Sequence, residues 1–451
     1  MATMTAVRRP PGPRGRPVVG NILEFRRDIL GTMLDGWRKH GDIVRFNVGG
    51  SAYLIVHPDD IRYVIREGAA NYPKAPFQDV RWRKIVGEGI VTSKGAFWER
   101  QRRLAEPAFH AERIAEFGKI MTDATQEMLA EWDGAAERGE AIDARDEMMR
   151  LTLTILARAM FSADVWRDAG TIGNAVGIML THANSRLFSP FDPPEKLPLP
   201  SHRRYLTARD QFDAVIYRMI ADRRQGEAKN DLLTMFMEAR DEQTGEHMDD
   251  VQVRDEVRTM FIAGHETTAV GLAWTFYLLS QHPEVEQKMK EELDQVLGGR
   301  VPTVDDLPNL QYLWRLCQES MRVYPPIWVF LRAAIEDDKI RGFEIKKGKN
   351  IFISTYILHR HPEFWDDPET FDPERFLPEK TADWHRFQYL PFGGGPRKCI
   401  GNNFAVNELM LCLATIAQRY TLDLVPGWPI ETEPGLSLRQ KHGVQMTLDP
   451  V

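Results

Sequence analysis

Hydrophobic residues recur at helical spacing through most of this chain and alternate only in short stretches early and late in it. From residue 58 to about residue 322 the pattern is mainly helical, with Asp or Pro at several helix starts and Gly or Pro at several stops. Residues 42–46 and 52–56 alternate like strands around Gly49-Gly50, which predicts a hairpin. The pattern therefore predicts a mainly α protein with small β-sheets, in the α+β class.

Strand patterns return in the last third of the chain. They cover residues 329–334, 340–345 and 350–354, and we expect a terminal strand pair around His442-Gly443. The segments 1–60 and 328–360 are thus predicted to contribute most of the small β-rich region, and the remainder to be largely helical. A length of 451 residues favours about three domains, yet no linker is long or polar enough to separate them, so we expect one domain over residues 1–451.

Three segments bear on loop mobility and on membrane association. The proline-bearing segment 190–200 lies between helical patterns and is predicted to be a mobile, functional loop. Residues 1–17 contain no apolar stretch of signal-peptide length, and the longest apolar run, 269–279, is shorter than the roughly 20 residues that a membrane-spanning helix requires. We expect a soluble protein without a membrane anchor.

Composition narrows the function classes only a little. Hydrophobic residues make up 43% and charged residues 27% of the chain, as in an ordinary globular protein. The net charge of −7 gives no support for nucleic-acid binding. The three cysteines, Cys317, Cys399 and Cys412, are too few for a disulfide framework and favour a reducing cytoplasm. Cys317 and Cys412 lie in apolar helical runs typical of buried structural thiols.

Cys399 has the most informative surroundings of the three cysteines. Residues 392–401 read Phe-Gly-Gly-Gly-Pro-Arg-Lys-Cys-Ile-Gly, and the apolar stretch 404–413 predicts a helix directly after them. Glycines let backbone N–H groups and a flat cofactor approach the sulfur, and a helix N-terminus lowers the pKa of a thiol. The arrangement suits an iron ligand, although this loop alone is also compatible with a structural metal, a redox switch or a nucleophile.

A second candidate site lies in the helix predicted over residues 251–280. Residues 263–268 read Ala-Gly-His-Glu-Thr-Thr, which places a glycine, an acid and two hydroxyls in mid-helix, where propensity disfavours them. A threonine hydroxyl can bond to a carbonyl one turn back, so the helix can open locally and admit water or a diatomic ligand. Glu266 and Thr267 would then relay protons, although a tolerated glycine beside a threonine-rich face explains the hexapeptide equally well.

Two further pairs have helical spacing. Glu319 and Arg322 are i, i+3 and can pair, and Arg375 in the proline-bounded segment 371–376 adds a second guanidinium that would complete a bracket. An acid and a base at that spacing are usually a solvated surface pair. Trp98 and Arg102 are i, i+4, and an indole N–H with a guanidinium suits paired anionic groups such as propionates. A basic amphipathic helix that touches a partner is the alternative.

These motifs together, in this order and spacing over nearly the whole chain, resemble the cytochrome P-450 family. The signature of that family is matched by Phe392, Gly395, Cys399 and Gly401. The resemblance implies a triangular, mostly helical domain enclosing haem b, with Cys399 as the axial iron ligand, Phe392 near its sulfur and His265 in a structural role. Positions matched to the propionate contacts and to the distal space for oxygen are Trp98, Arg102, Arg332, Arg397, Ala263 and Gly264.

The resemblance also implies roles on the distal side of the haem and behind it. Glu266 and Thr267 match the acid–alcohol pair that delivers protons, and Glu319, Arg322 and Arg375 match the structural bracket. Substrate-facing positions are mainly apolar and suit a terpenoid, a fatty acid or a polyketide, although core packing explains each of them equally well. They are Ile90, Val91, Met179, Phe261, Ile262, Ile327, Trp328, Val329, Phe330 and Ser437.

The implied activity is that of a monooxygenase, which hydroxylates or otherwise oxidises a lipophilic small molecule with O₂. Electrons would come from NAD(P)H through a ferredoxin or flavodoxin and its reductase, and positive charge at Arg100, Arg103 and Lys398 would attract that acidic partner. The hexapeptide and the Pro-Pro-Gly-Pro lead-in look like the branch of fatty-acid hydroxylases and microsomal enzymes. The lack of an anchor and of a flavin-binding region leads us to expect a soluble bacterial enzyme without a fused reductase domain. We also expect it to be cytoplasmic and monomeric.

Two other functions are compatible with a haem-binding chain. The first is a peroxygenase, isomerase or dehydratase that uses no external electrons, and the presence of both Glu266 and Thr267 argues against it because such enzymes need that relay less. The second is a haem-binding gas sensor or electron-transfer protein, and the absence of a recognisable output domain argues against it.

Overall fold

The computed structural model describes residues 8–162, 168–187, 193–194, 197, 199–226 and 229–451. Of the predicted loop 190–200, residues 190–192, 195, 196 and 198 lie outside the described residues. The chain forms two compact units, one from Met1–Asp79 and Glu319–Cys399, and the other from Val80–Gln318 and Ile400–Val451. The expectation of one domain over residues 1–451 stays a prediction.

Helices account for most of the described chain, which confirms the helical pattern expected between residues 58 and 322. Several begin at a side chain that accepts a hydrogen bond from an N–H of the first turn, among them Asp28, Asp143, Asp231, Asp249 and Ser354. In chain order the α-helices are α1 (Ile22–Arg27), α2 (Ile29–His40), α3 (Pro58–Arg62), α4 (Pro76–Val86), α5 (Gly95–Ala105), α6 (Ala111–Glu116), α7 (Gly118–Glu137), α8 (Ala144–Phe161), α9 (Ala169–Leu187), α10 (Pro200–Gln225), α11 (Leu232–Glu238), α12 (Asp250–Gln281), α13 (Pro283–Leu297), α14 (Gln311–Val323), α15 (Thr355–Leu358), α16 (Pro378–Thr381) and α17 (Asn402–Ala417).

The strands form small sheets, as the sequence predicts. In chain order they are β1 (Ile43–Asn47), β2 (Ser51–Ile55), β3 (Ile142–Asp143), β4 (Phe330–Ala333), β5 (Asp338–Ile340), β6 (Phe343–Ile345), β7 (Asn350–Ile353), β8 (Tyr420–Leu424), β9 (Thr432–Pro434), β10 (Leu438–Gln440) and β11 (Gln445–Pro450). The first unit contains a four-stranded sheet in the order β1-β2-β7-β4, in which only β2 and β7 run parallel. The hairpin predicted around Gly49-Gly50 is its β1-β2 pair.

The single strand expected over residues 340–345 is wrong, because this segment is a hairpin of β5 and β6. The chain reverses at Arg341, with a φ of 46°, and Gly342, with a φ of 77°. Positive φ at both central residues is typical of the tight turns that join antiparallel strands. Ile340 and Ile345 are both buried, so the apolar pattern continues through the turn. Arginine is an uncommon residue at positive φ, and for that reason the pattern does not mark the reversal.

The hydrophobic core of the first unit holds the segment that leads to Cys399. Buried side chains of the four-stranded sheet pack in one cluster with those of the segment 61–72 and with Phe387 and Leu390. Leu390 lies nine residues before Cys399 in the chain, so the start of the Cys399 loop is anchored in this core. The sheet and neighbouring members of the cluster include Ile43, Tyr53, Ile55, Ile61, Val64, Ile65, Tyr72, Ile351 and Ile353.

The second unit is organised around the 32-residue helix α12. Asp249 caps it in a reciprocal capping box with Gln252. Buried residues occur on all sides of this helix, and the hydroxyl of Thr152 on α8 donates to the carbonyl of His265 at 3.0 Å. Such a helix is central to its unit rather than amphipathic at the surface. Within the described ranges no helix, α12 included, is long and apolar enough to cross a membrane.

The terminal strand pair expected around His442-Gly443 is also wrong. Strands lie on both sides of this turn, but β10 pairs with β9, whereas β11 pairs with β8 and β3. Gly443 has a φ of +73°, and the next N–H, of Val444, donates to the carboxylate of Asp143 at 3.0 Å. Asp143 therefore draws the chain into the sheet of β3, a long-range contact that local alternation does not encode.

Candidate functional site

The loop that carries Cys399 is folded back by hydrogen bonds of its own backbone. The N–H of Gly393 donates to the carbonyl of Leu390 at 3.1 Å, and the N–H of Cys399 donates to the carbonyl of Phe392 at 3.0 Å. A short 3₁₀ turn over Gly395–Arg397 lies between them. The side chain of Cys399 is exposed, and α17 begins three residues later along the chain. The loop thus presents one sulfur on a constrained backbone.

Two glycines of this loop have different roles. Gly395 has a φ of +67°, and a Cβ there would lie 2.0 Å from the carbonyl oxygen of Ile65. Gly393 has a φ of +68°, but a Cβ there would meet no atom within 4 Å. Gly395 is therefore required for close backbone packing, and Gly393 for backbone conformation alone. Ile65 belongs to a π-helical turn over Tyr63–Glu67, so that turn fixes the position of the loop.

Cys399 differs from the other two cysteines in its exposure. Among the described residues, no cluster of three or more His, Cys, Asp or Glu side chains could hold a metal ion. Cys317 and Cys412 are buried, and burial raises the pKa of both thiols, as expected of structural cysteines. One exposed thiol on a hydrogen-bonded, glycine-rich loop fits a metal that a planar cofactor carries.

Arg332 is a half-buried cation in the same unit. It lies on β4, and its Nη1 donates to the carbonyl of Leu331 at 2.9 Å, while its guanidinium lies 5.5 Å from the ring centroid of Phe330. Loss of solvent lowers its pKa to about 10, and no carboxylate of the described residues opposes that shift. A desolvated guanidinium in this state is suited to bind an anionic group, and a propionate is one such group.

Glu319 and Arg322 on α14 form a fully buried ion pair. Nε and Nη2 of Arg322 donate to Oε2 and Oε1 of Glu319 at 2.7 and 2.8 Å, which is a bidentate geometry. Both side chains have an exposure of 0%. This pair is therefore not the solvated surface pair that the spacing alone would favour.

Arg375 and backbone groups complete the surroundings of this ion pair. Nε of Arg375 and the N–H of Asp372 both donate to Oε1 of Glu319, at 3.3 and 2.9 Å. The remaining N–H groups of Arg322 donate to the backbone carbonyls of His359, Pro368 and Thr370 at 2.9, 2.7 and 3.0 Å. A buried network with this many satisfied groups is rigid. We call Glu319, Arg322 and Arg375 the bracket.

His359, which sequence reasoning missed, connects the bracket to the Cys399 loop. Its carbonyl accepts from Arg322, and its Nε2 accepts from the N–H of Leu390 at 3.0 Å. The carbonyl of Leu390 in turn accepts from Gly393. Burial and the neighbouring charge of Arg322 lower the pKa of His359 to about 3, so the imidazole is neutral. A continuous hydrogen-bonded path therefore leads from the bracket to the loop.

In the second unit, α12 has an open face at the expected hexapeptide. Ala263 is exposed and Gly264 and Thr267 are half-buried, whereas His265 and Glu266 beside them are buried. The hydroxyl of Thr267 donates to the carbonyl of Ala263 at 3.0 Å. The helix is continuous through this segment, so any local opening at Gly264 stays a prediction. A small residue, a glycine and a hydroxyl together leave room beside this face.

Glu266 points away from solvent and meets the β9-β10 turn. Its Oε1 accepts from the hydroxyl of Ser437 at 2.8 Å, and its Oε2 is buried without a hydrogen-bond partner among the described residues. Burial raises the pKa of Glu266, and Ser437, Arg439 and Asn184 counteract that shift. Ser437 was expected to face substrate, and in the structure its hydroxyl donates a hydrogen bond to the carboxyl of Glu266. The other partner, Asn184, lies 82 residues earlier in the chain and had no sequence signal.

Helix α5 carries the two residues expected to meet propionates. Trp98 and Arg102 are both half-buried, and Arg102 also approaches Glu106 at 3.4 Å. The neighbouring Arg100 and Arg103, which were expected to attract an acidic partner, pair with Glu246 and with Asp241. Those carboxylates offset the positive charge of this helix.

Most of the expected substrate-facing residues are buried in their own units. Met179, Phe261, Ile262 and Trp328 are almost fully buried. The ring of Phe261 lies 5.6 Å from that of Phe161 and 5.1 Å from that of Phe212, which is aromatic core packing. More accessible members of the set are Val91, Ile327 and Phe330, which are half-buried.

Ile90 is held through its backbone. Its N–H donates to Oε2 of the buried Glu256 at 3.0 Å, and the N–H of Glu88 donates to Asp255 at 2.7 Å. Two neighbouring carboxyls of α12 therefore fix the segment 87–90, which precedes Val91. Sequence reasoning did not single out Asp255 or Glu256, since an acidic pair on a helix is normally a solvated feature.

Comparison with known proteins places these sites in a family. The family model described as cytochrome P-450 matches residues 10–447. Cyclooctatin synthase of Streptomyces melanosporofaciens is 36% identical over 94% of this chain and 92% of its own length. Cyclooctat-9-en-7-ol 5-monooxygenase of the same organism is 37% identical over 92% of this chain and 90% of its own length. Pentalenene oxygenase of Streptomyces avermitilis is 34% identical over 95% of this chain and 92% of its own length.

A solved structure supports the same fold. The cytochrome P450DA heme domain superposes with a TM-score of 0.87 at 25% sequence identity, and the match covers 99% of this chain and 98% of that chain. The fold expected from the sequence, mainly α with small β-sheets, is confirmed.

Proposed function

Since this chain belongs to the cytochrome P-450 family and is a monooxygenase of that family, we propose that it oxidises a lipophilic terpenoid with O₂, using electrons from separate redox proteins. The observation that carries the substrate class is the similarity to three bacterial enzymes named for cyclooctatin, cyclooctat-9-en-7-ol and pentalenene, at 34–37% identity. The apolar character of the expected substrate-facing residues supports a lipophilic guest.

The family uses haem, and the residues present fit that cofactor. When bound, haem b supplies the iron that activates O₂ for insertion into a C–H bond. Cys399 would bind the haem iron, which its exposed thiol and its constrained loop support. Arg332 would hold a propionate, supported by its desolvated guanidinium, and Trp98, Arg102 and Arg397 would share that task.

Glu266 and Thr267 would deliver the protons that the reaction consumes. A hydroxyl can accept a proton on one side while it donates on the other, and Thr267 lies on the open face of α12. Because burial raises the pKa of Glu266, its carboxyl can hold a proton closer to neutral pH than an exposed glutamate can. Ala263 and Gly264 would leave the space in which O₂ reacts.

The ligand assignment is tested by the absorption spectrum of the reduced, CO-bound protein. The wild-type protein should show the band of a thiolate-ligated haem, and Cys399→Ser should lose that band while it keeps its folded far-UV signal. Cys412→Ala is the matched control, because it removes a buried thiol that we assign no role in haem binding. A thiolate band that persists in Cys399→Ser would overturn the assignment.

The substrate class is tested by spectral titration followed by turnover. Terpenes should shift the absorption spectrum of the haem, whereas fatty acids of equal size should not. Formation of hydroxylated product should require NAD(P)H, a reductase and a ferredoxin. Product formed with hydrogen peroxide alone would instead indicate a peroxygenase. A haem spectrum that no lipophilic compound changes would favour a sensor or an electron-transfer protein.

The relay is tested by Thr267→Ala. This variant should consume electrons at a rate near that of the wild-type protein, but it should divert most of them to peroxide or water, because the hydroxyl that hands on protons is gone. Thr154→Ala, at a half-buried threonine whose hydroxyl donates to a carbonyl of its own helix, is the control. Unchanged coupling in Thr267→Ala would contradict the relay.

A further inference from the structure

A buried polar contact connects the acid of α12 to the turn between β9 and β10. Oε1 of Glu266 accepts from the hydroxyl of Ser437 at 2.8 Å. Ser437 has an exposure of 0% and Glu266 of 3%, so this bond is shielded from water. Hydrogen bonds to a carboxylate in such surroundings are about twice as strong as those between neutral groups.

The turn that carries Ser437 is itself fixed from two sides. Oδ1 of Asn184 on α9 accepts from the N–H of Leu436 at 2.7 Å, and a Cβ on Gly435 would lie 2.5 Å from that oxygen. On the other side, Nε1 of Trp274 on α12 donates to the carbonyl of Leu438 at 2.6 Å. The hydroxyl of Ser437 therefore has little freedom to leave Glu266.

The contact also distinguishes the two oxygens of the carboxyl. Oε1 accepts a hydrogen bond from Ser437, which favours Oε2 as the oxygen that carries the proton of neutral Glu266. Oε2 is buried and makes no hydrogen bond within the described part of the chain. Asn184 and Arg439 also favour the ionised form of Glu266, Arg439 through its charge and Asn184 through its side-chain amide.

We propose that Ser437 is a positioning residue for Glu266. Its hydrogen bond to Oε1 fixes the proton on Oε2 and stabilises the carboxylate that remains once this proton has been given up. The proton leaves Oε2 for a hydroxyl or a water molecule, and a proton from solvent replaces it. No electron or other reactant is needed. The part of Glu266 in catalysis depends on the proposed function, whereas the coupling between Ser437 and Glu266 does not.

The coupling is tested by infrared titration of the protonated carboxyl, with Glu266→Gln used to assign its band. In Ser437→Ala the titration midpoint of Glu266 should move to higher pH, because a hydrogen bond that favours the carboxylate is lost. Ser437→Thr keeps the hydroxyl and should keep the wild-type midpoint. Ser185→Ala, on an exposed part of α9, should change nothing. A midpoint that is the same in Ser437→Ala and the wild-type protein overturns the proposal.

Substitutions at Asn184 separate its two contributions, which are to hold the turn through Leu436 and to favour the ionised form of Glu266. Asn184→Asp keeps the oxygen that accepts from Leu436 but replaces the amide nitrogen by a second carboxylate oxygen, so the midpoint of Glu266 should rise while the turn stays in place. Asn184→Ala loses both and should raise the exchange rate of the Leu436 amide proton. An unchanged exchange rate in Asn184→Ala would contradict the role of Asn184 in holding the turn.

Turnover tests the catalytic part separately. In Ser437→Ala we expect kcat to fall about tenfold, which is less than the 10²–10⁴-fold rate acceleration that a general acid typically contributes. KM should be unchanged, and the solvent isotope effect on kcat should be larger. Ser437→Thr should restore kcat. If the infrared midpoint shifts but turnover does not, Ser437 is coupled to Glu266 without serving the reaction. If the wild-type protein has no oxygenase turnover, the proposed function fails while the infrared result still decides the coupling.

Discussion

The imidazole of His359 accepts a hydrogen bond at Nε2 from the backbone N–H of Leu390, over 3.0 Å. Only a neutral imidazole has a free lone pair there, so this bond requires the unprotonated form. Burial and the charge of Arg322 lower the pKa of His359 to about 3, in agreement with that requirement. The chain uses a titratable residue, held neutral, to connect the bracket with the Cys399 loop.

His359 should make the protein sensitive to acid. In the unfolded chain the histidine takes up a proton near its ordinary pKa of 6.5, whereas in the folded protein it resists protonation down to about 3. Its contribution is therefore complete above the unfolded pKa and is lost as the pH falls through that window. Between about pH 7 and about pH 5 the wild-type protein should lose roughly 2 kcal/mol of unfolding free energy through this residue.

The test compares His359→Gln, which keeps an acceptor but does not titrate, with the wild-type protein by thermal unfolding at both pH values. Other histidines contribute equally to both proteins, so the difference between them isolates His359. An equal pH dependence in the two proteins would show that His359 is not a neutral acceptor in the folded state.

The bracket should tolerate loss of its outer arginine better than loss of its acid. Glu319→Gln leaves the buried Arg322 without its counter-charge, which typically costs about 3–5 kcal/mol. Arg375→Lys keeps a cation and should cost roughly 1 kcal/mol, through the loss of bonds to backbone carbonyls. Asp123→Asn, which breaks the exposed pair with Lys119, should cost less than about 0.5 kcal/mol. Urea unfolding orders the three variants, and a Glu319→Gln variant as stable as Asp123→Asn would contradict the network.

Local patterns explain what could be predicted from the sequence. The i, i+3 spacing of Glu319 and Arg322 brings them onto one face of a helix, and the structure shows them paired. The glycine-rich run before Cys399 is likewise local, and so is the change from helical to alternating spacing. Each of these depends on residues within a few positions of one another.

Long-range contacts explain what could not be predicted. Ser437 and Glu266 are 171 positions apart, and His359 and Leu390 are 31 apart. The residues that neighbour Ser437 and His359 in the sequence do not indicate such a distant partner. The two strand errors have different origins. Arg341 adopts a backbone conformation that its residue type disfavours, whereas Gly443 is followed by a contact with the distant Asp143.

The two glycines of the Cys399 loop should respond differently to alanine. In Gly395→Ala the new Cβ would overlap the carbonyl of Ile65, and backbone cannot move aside cheaply, so we expect loss of the native loop. Gly393→Ala has open space and should cost only about 1 kcal/mol, because an L-residue at positive φ is strained. Thermal unfolding and the CO spectrum of the reduced protein report on both. A Gly395→Ala variant as intact as Gly393→Ala would contradict the close contact with Ile65.

Glu256 should limit stability at neutral and alkaline pH. Burial raises its pKa to about 8, and the N–H of Ile90 counteracts only part of that shift. In the unfolded chain the carboxyl ionises near its ordinary pKa of 4.5, so stability falls as the pH rises from there until the folded form ionises as well. Near pH 7 the cost should be roughly 3 kcal/mol.

Glu256→Gln removes this cost, because the amide oxygen still accepts from Ile90 and carries no charge at any pH. The variant should therefore gain stability over the wild-type protein as the pH rises from about 5 to about 8, by the linkage between protonation and unfolding. Asp255→Asn is the matched comparison on the same helix, since Asp255 pairs with Arg254 and also holds the N–H of Glu88. It should lose stability, and the amide proton of Glu88 should exchange faster. If Glu256→Gln and the wild-type protein showed the same stability across this pH range, the buried carboxyl would be ionised in the folded state, and the segment 87–90 would be held by a charge.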